Sequence, residues 1–142
     1  MSTRNNTLIV DRVFAEEFEL GFAVNPVKVS NNSFVNMYLH HDGYLEGIGV
    51  DLAEWLQEKK KDGFSGSDGS RLAALMVYDF HYSSQYLYPG GDNIDTNFTY
   101  IIWSGKKDMW LSCYDNYENK CVFVGKPENM IKKYKHNTNS NF

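Results

Sequence analysis

Long apolar runs are missing from this chain. The longest, such as Leu8-Ile9-Val10 and Ala73-Ala74-Leu75-Met76-Val77, are a few residues each, whereas a membrane-spanning helix needs about 20. The opening residues, Met1-Ser2-Thr3-Arg4-Asn5-Asn6, lack the apolar stretch of a secretory signal. A soluble cytoplasmic protein without membrane contacts is therefore expected. Cysteine is scarce, with only Cys113 and Cys121, and in a reducing compartment both are expected as thiols. A hairpin centred on Tyr117 would set the two directly opposite each other, near disulfide range. Two small core side chains are the expected outcome. Positive charge is not in excess either: 14 Lys and Arg face 18 Asp and Glu, for a net charge of −4. Nucleic-acid binders carry basic surfaces, so direct nucleic-acid binding is not expected.

Several chemical signatures are absent too. There is no Gly-x-Ser-x-Gly nucleophile elbow and no His-x-x-x-His metal spacing. The glycine-rich stretch Gly63-Phe64-Ser65-Gly66-Ser67-Asp68-Gly69 lacks the lysine of a phosphate loop. It leads into a helix start, which attracts anions only weakly on its own. The balance is against catalysis, and no cofactor or metal is expected.

What is present is enough for a core. The 142 residues suit one domain, and hydrophobic residues reach 42% with aromatics at 15%. A chain of this size buries roughly two thirds of its unfolded surface, so it needs no staple to fold. Residues 1–135 read as one domain and 136–142 as a flexible polar tail.

The pattern along the chain is strands, a helix pair, then strands. Residues 7–13 are rich in β-branched side chains and read as a strand. Residues 22–30 read as a second, kept short or at an edge by Pro26. Asn31-Asn32-Ser33 is a turn, and residues 34–40 form a third strand. There Val35, Met37 and Leu39 would face the core, with Phe34, Asn36, Tyr38 and His40 on the other side.

A helix is predicted over 49–61, with Ile48, Leu52, Trp55 and Leu56 on one face and Gly63 as its stop. A second helix, capped by Asp68 or Ser70, would run to about Tyr82 on a stripe of Leu72, Leu75, Met76 and Phe80. Residues 83–96 read as irregular. Residues 98–103, 109–114 and 120–124 then form a meander, and Pro127 opens a last helix through Lys135. Strands that do not alternate singly with helices predict an α+β fold: a mainly antiparallel sheet, two helices packed on one face and a C-terminal β-meander.

The densest chemistry lies where the third strand passes into the helix. Tyr38-Leu39-His40-His41-Asp42-Gly43-Tyr44-Leu45-Glu46 holds two imidazoles, two carboxylates and two phenols. Such junctions often carry function. The plain reading is a turn: Asp42 bonds its own backbone, Gly43 supplies a positive φ, and the histidines are exposed. A catalytic reading would use Asp42 to orient His40, since residues two apart share a face of a strand. A metal reading would need Asp79 or His81 besides His40 and Asp42. If the first and third strands are antiparallel neighbours, Arg4 would approach Asp42 and an Arg–carboxylate pair could lock the turn.

Other aromatics offer surfaces. Tyr78, Tyr82, Tyr86 and Tyr88 suit an interface, but are expected to rim the helix and cover the sheet. Trp103 and Trp110 flank the turn at 104–108 and are expected to stack across it, opposite the face of Ile102 and Leu111.

Two pieces of the chain resemble a family of small phage and mobile-element proteins of unknown function. These start with Met, a small residue, Thr and Arg, and later carry Tyr-x-His-Trp-Asp-Gly-Tyr before a leucine-rich helix. Met1-Ser2-Thr3-Arg4 matches the start, and Tyr38, His40, Asp42, Gly43 and Tyr44 match the second motif. Asn5-Asn6 interrupts the first motif, and His41 stands where the family has Trp. The resemblance covers about a fifth of the chain. It implies a phage-type accessory protein that binds a host protein in an infected or carrier bacterial cell, for instance to counter host defence. The binding residues would be Arg4, Tyr38, His40, Asp42, Gly43, Tyr44 and Glu46. The alternative is a small-ligand or nucleotide-binding protein, with hydrolysis as an extension, built on the junction of His40, Asp42 and Tyr44.

Overall fold

The computed structural model describes residues 3–10, 33–64, 69–81, 85–89, 95–104 and 108–135. Six strands and three α-helices lie in this part: β1 (Asn5–Val10), β2 (Ser33–Leu39), α1 (Val50–Lys61), α2 (Gly69–Asp79), β3 (Gln85–Leu87), β4 (Phe98–Ser104), β5 (Met109–Asp115), β6 (Lys120–Gly125) and α3 (Pro127–Tyr134). A π-helical turn, Leu45–Gly49, leads directly into α1. The strands form one sheet in the order β3-β2-β1-β4-β5-β6. Every neighbouring pair is antiparallel except β1 with β4, which run parallel at the centre. The fold is α+β as expected, on a mixed and mostly antiparallel sheet.

Alternation along the strands sorts the side chains between two faces. Ile9, Val35, Met37, Leu39, Tyr100, Ile102, Leu111 and Cys113 enter the main core. There they meet Leu52, Trp55 and Leu56 of α1, Leu72 and Met76 of α2, and Met130 of α3. On the other face Leu8, Val10, Ile101 and Trp103 form a second buried cluster, with Trp110 packed against it. Trp103 and Trp110 are direct cross-strand partners and stack as expected, with ring centroids 6.2 Å apart and planes 11° from parallel.

The helix pair is pinned at its far end. Trp55 donates its indole N–H to Asp79 at 2.8 Å, and Lys59 pairs with Asp79 at 3.3 Å. These contacts hold the Asp79 carboxyl below the usual carboxylate range, the Trp55 hydrogen bond being the larger cause. Gly63 ends α1 with φ +99°, the left-handed conformation typical after a helix.

Several elements differ from expectation. The first strand begins two residues early, at Asn5, and residues 11–13 lie outside the described residues, as do the predicted strand at 22–30, Asn31, Asn32, Asp68, Tyr82 and the tail at 136–142. Ser33 opens β2 and is not a turn residue. Ser70 lies inside the first turn of α2 and does not precede it. The stretch 83–96, read as irregular, contains the edge strand β3. Phe34 does not share a face with Asn36 and Tyr38: pairing jumps from Ile9–Val35 to Val10–Ser33, so Phe34 is the extra residue of a β-bulge. Its ring is re-aimed onto Gly69 at the start of α2, where an added Cβ would lie 3.0 Å from it.

The cysteines are free thiols and are not direct partners. Asp115 pairs with Lys120 across a four-residue turn, so the hairpin is not centred on Tyr117. A bulge then places Cys113 opposite Phe123 and Cys121 opposite Tyr114. Burial pushes the Cys113 thiol far up, beyond any useful reactivity. Among the described residues no helix is long and apolar enough to cross a membrane.

Candidate functional site

After Leu39 the chain turns back on itself at Asp42, and the positive φ expected of Gly43 falls there instead: +59°, which aspartate tolerates better than most residues. The next residue is held on both sides. Gly43 donates its amide to the Thr3 carbonyl at 2.9 Å, and its own carbonyl accepts the Tyr100 hydroxyl at 2.7 Å. An added Cβ would lie 2.6 Å from the Thr3 oxygen, so close backbone approach is what requires glycine here. Ile48 donates its amide to the Asp42 carbonyl at 2.9 Å, and Asn5 donates its side-chain amide to Leu39 and His41 carbonyls, both at 3.3 Å. Burial raises the Tyr100 hydroxyl well above its usual range, so it stays a neutral donor. This junction is a latch between the sheet centre and the start of α1.

The junction's polar groups fall into two sets. Tyr44 donates its hydroxyl to the Asp42 carboxylate at 3.2 Å, and that charge raises the Tyr44 pKa. Both side chains are exposed, and Glu46 is half-buried on the π-helical turn. Arg4 does not meet Asp42 as expected. Its carboxylate partner is Asp95, at 3.6 Å. The strands are antiparallel neighbours, but Arg4 reaches toward the segment ahead of β4 and the sheet face that Tyr38 lines.

On that face a second constellation forms. Tyr38 is 9% exposed, and its hydroxyl lies 2.9 Å from His40 Nδ1. The Arg4 guanidinium lies against the same hydroxyl; burial raises the Tyr38 pKa while Arg4 opposes the rise. The hydroxyl thus joins the guanidinium and the imidazole in one cluster. Tyr86, the direct cross-strand partner of Tyr38, and Tyr88 each place a ring centroid 6.0 Å from that of Tyr38. His41 stacks edge-on against His40 at 4.8 Å. Tyr86 is 56% and Tyr88 40% exposed.

A buried polar network supports these rings. Asn6 accepts the hydroxyls of Thr96 and Thr99 at 2.8 and 2.7 Å and donates to Asn36 at 3.0 Å. The Asn36 side chain donates to the Pro89 carbonyl at 3.2 Å, and its backbone carbonyl accepts the Tyr88 amide at 3.0 Å. Asn116 closes the network on Thr96 and Thr99, at 3.0 and 2.9 Å. Polar groups withdrawn from water must find partners, and here those partners fix the segment carrying Tyr88 to the sheet.

Of the residues singled out in the sequence, Arg4, Tyr38 and His40 come together, whereas Asp42, Gly43 and Tyr44 make the turn. Among the described residues no group of three or more His, Cys, Asp and Glu is placed to hold a metal. Asp79, one of the candidate ligands, is engaged by Trp55 and Lys59. Tyr86, Tyr88 and Asp95 also belong to the constellation, although they lie far from residues 38–49 in sequence. The signal for the tyrosines was local: Gln85-Tyr86-Leu87-Tyr88 alternates ahead of Pro89, as a short edge strand does. No protein-family model, curated protein or solved structure matches this chain.

Proposed function

We propose that this chain is a phage-type accessory protein that acts without catalysis, by binding a host protein through the surface of Tyr38, Tyr86 and Tyr88. The observation that carries this reading is the set of three tyrosine rings on a hydrogen-bonded support, two of them about half-exposed. Tyrosines held in place by the backbone bind with little loss of side-chain freedom, which is why they are common at interfaces. The Met1–Arg4 start and the Tyr38–Tyr44 motif, with their likeness to mobile-element proteins, support the phage-type part of the reading. Host defence machinery is one class of target consistent with it.

The junction itself supports the small-ligand alternative less well. Asp42 is taken by Tyr44, and Gly43 is enclosed by backbone. The test is a tagged pull-down from bacterial lysate, read by mass spectrometry, with a Tyr86→Ala/Tyr88→Ala double variant as control. A stoichiometric host protein lost in the control is the expected result. Equal capture by both forms, or capture of no specific protein, would overturn the reading.

A further inference from the structure

We infer that the partner segment seated on this surface presents an aspartate or glutamate carboxylate that replaces Asp95 on Arg4, beside an apolar side chain resting on Tyr86 and Tyr88. The inference rests on the protein-binding reading above and names the chemistry of the partner. Arg4 is the permanent cation of the constellation, and its side chain is 36% exposed. Its carboxylate, Asp95, is 82% exposed and 3.6 Å away, too far for a hydrogen bond. Such a pair contributes little and exchanges readily.

An incoming carboxylate would find better terms. The guanidinium can grip both of its oxygens. The rings of Tyr86 and Tyr88 flank Tyr38, so the charged contact and the apolar contact fall side by side. One guanidinium matches a monoanion. A phosphorylated residue, close to a dianion, is usually read by a cluster of arginines. The net charge of −4 gives no long-range attraction for an acidic segment, so recognition must come from these contacts.

The test is selection of peptides from a random displayed library on the intact chain, repeated with Arg4→Glu, Asp95→Asn and Tyr86→Ala/Tyr88→Ala. The wild-type chain should enrich peptides with Asp or Glu next to an aromatic or aliphatic residue. Changing that acid to its amide, or Arg4 to Glu, should weaken the selected peptide at least ~tenfold, the scale of a charge-assisted hydrogen bond. Asp95→Asn should tighten it, since it frees Arg4 at an exposed position. Circular dichroism confirms that each variant is folded. Peptides that need Tyr86 and Tyr88 but show no acid preference would overturn the carboxylate inference and leave the binding surface standing. Peptides indifferent to the tyrosines would overturn both. Tighter binding of a phosphotyrosine peptide than of its glutamate counterpart would also overturn it.

Discussion

Tyr100, on one of the two central strands, donates its hydroxyl to the carbonyl of Gly43 at 2.7 Å, across 57 residues of sequence. The same glycine donates its amide to Thr3. The strand-to-helix junction is thus set by the sheet centre more than by its own side chains. Gly43→Ala would push a methyl group to 2.6 Å from the Thr3 oxygen and 2.9 Å from Asn5 Cβ. A loss of about 2–3 kcal/mol is expected, the usual scale of overpacking. Gly63→Ala has open space but φ +99°, and should lose only about 1 kcal/mol. Urea unfolding of both variants checks the order; Gly63→Ala being the more damaging would refute the steric argument.

Thr7 offers a gain. It is fully buried, and its hydroxyl has no hydrogen-bond partner among the described residues. Valine has the same shape without the desolvated hydroxyl. Thr7→Val should therefore raise stability by about 1 kcal/mol, seen as a higher melting temperature. A lower one would mean that the hydroxyl has a partner in solution, such as an internal water.

The asparagine network should behave in the opposite way. Asn6→Ala removes an acceptor used by two threonine hydroxyls and a donor used by Asn36. Each stranded group costs on the order of 1–3 kcal/mol, so a total of about 3 kcal/mol or more is expected. Amide exchange at Tyr88, whose N–H binds the Asn36 carbonyl, should quicken beyond the global change if the network holds this segment.

Acid should weaken the fold through Asp108. Hydrogen bonds from Lys60 at 2.8 Å and Lys126 at 3.2 Å hold its carboxyl below the usual range. A carboxyl whose folded pKa is depressed stabilises above its unfolded pKa, and that contribution fades as pH falls through the lower folded value. The window therefore opens below about pH 4. Asp108→Asn should be less stable than wild type near neutrality and converge with it in acid. A constant gap between the two denaturation curves down to the acid limit would exclude this role.

Much of the architecture was legible because its signals are local. Strands β4, β5 and β6 are rich in β-branched and aromatic residues between polar turns, Pro127 opens α3, and the core side of β2 follows from Val35, Met37 and Leu39. The misses lie where distant parts of the chain decide. Three residues of β3 are too few to show a period. The bulge at Phe34 depends on register with β1, and the Cys113–Cys121 offset on another bulge. Whether Arg4 meets Asp42 or Asp95 depends on where the chain returns before β4, which no spacing within residues 38–49 encodes. For the same reason Tyr86 and Tyr88 could be read as surface aromatics but not as neighbours of Tyr38.

The parallel pairing of β1 with β4 also has a consequence for synthesis. β1 leaves the ribosome early and can pair with β2 soon after, but its other edge waits for residues 98–104. Until then Leu8 and Val10 lack their partners Ile101 and Trp103, and an open apolar edge is a site for wrong pairing. Slow codons ahead of β4 would lengthen that interval and so lower the yield of folded protein, while changes after β6 would not. The first of the described strands to be made is among the last to be completed.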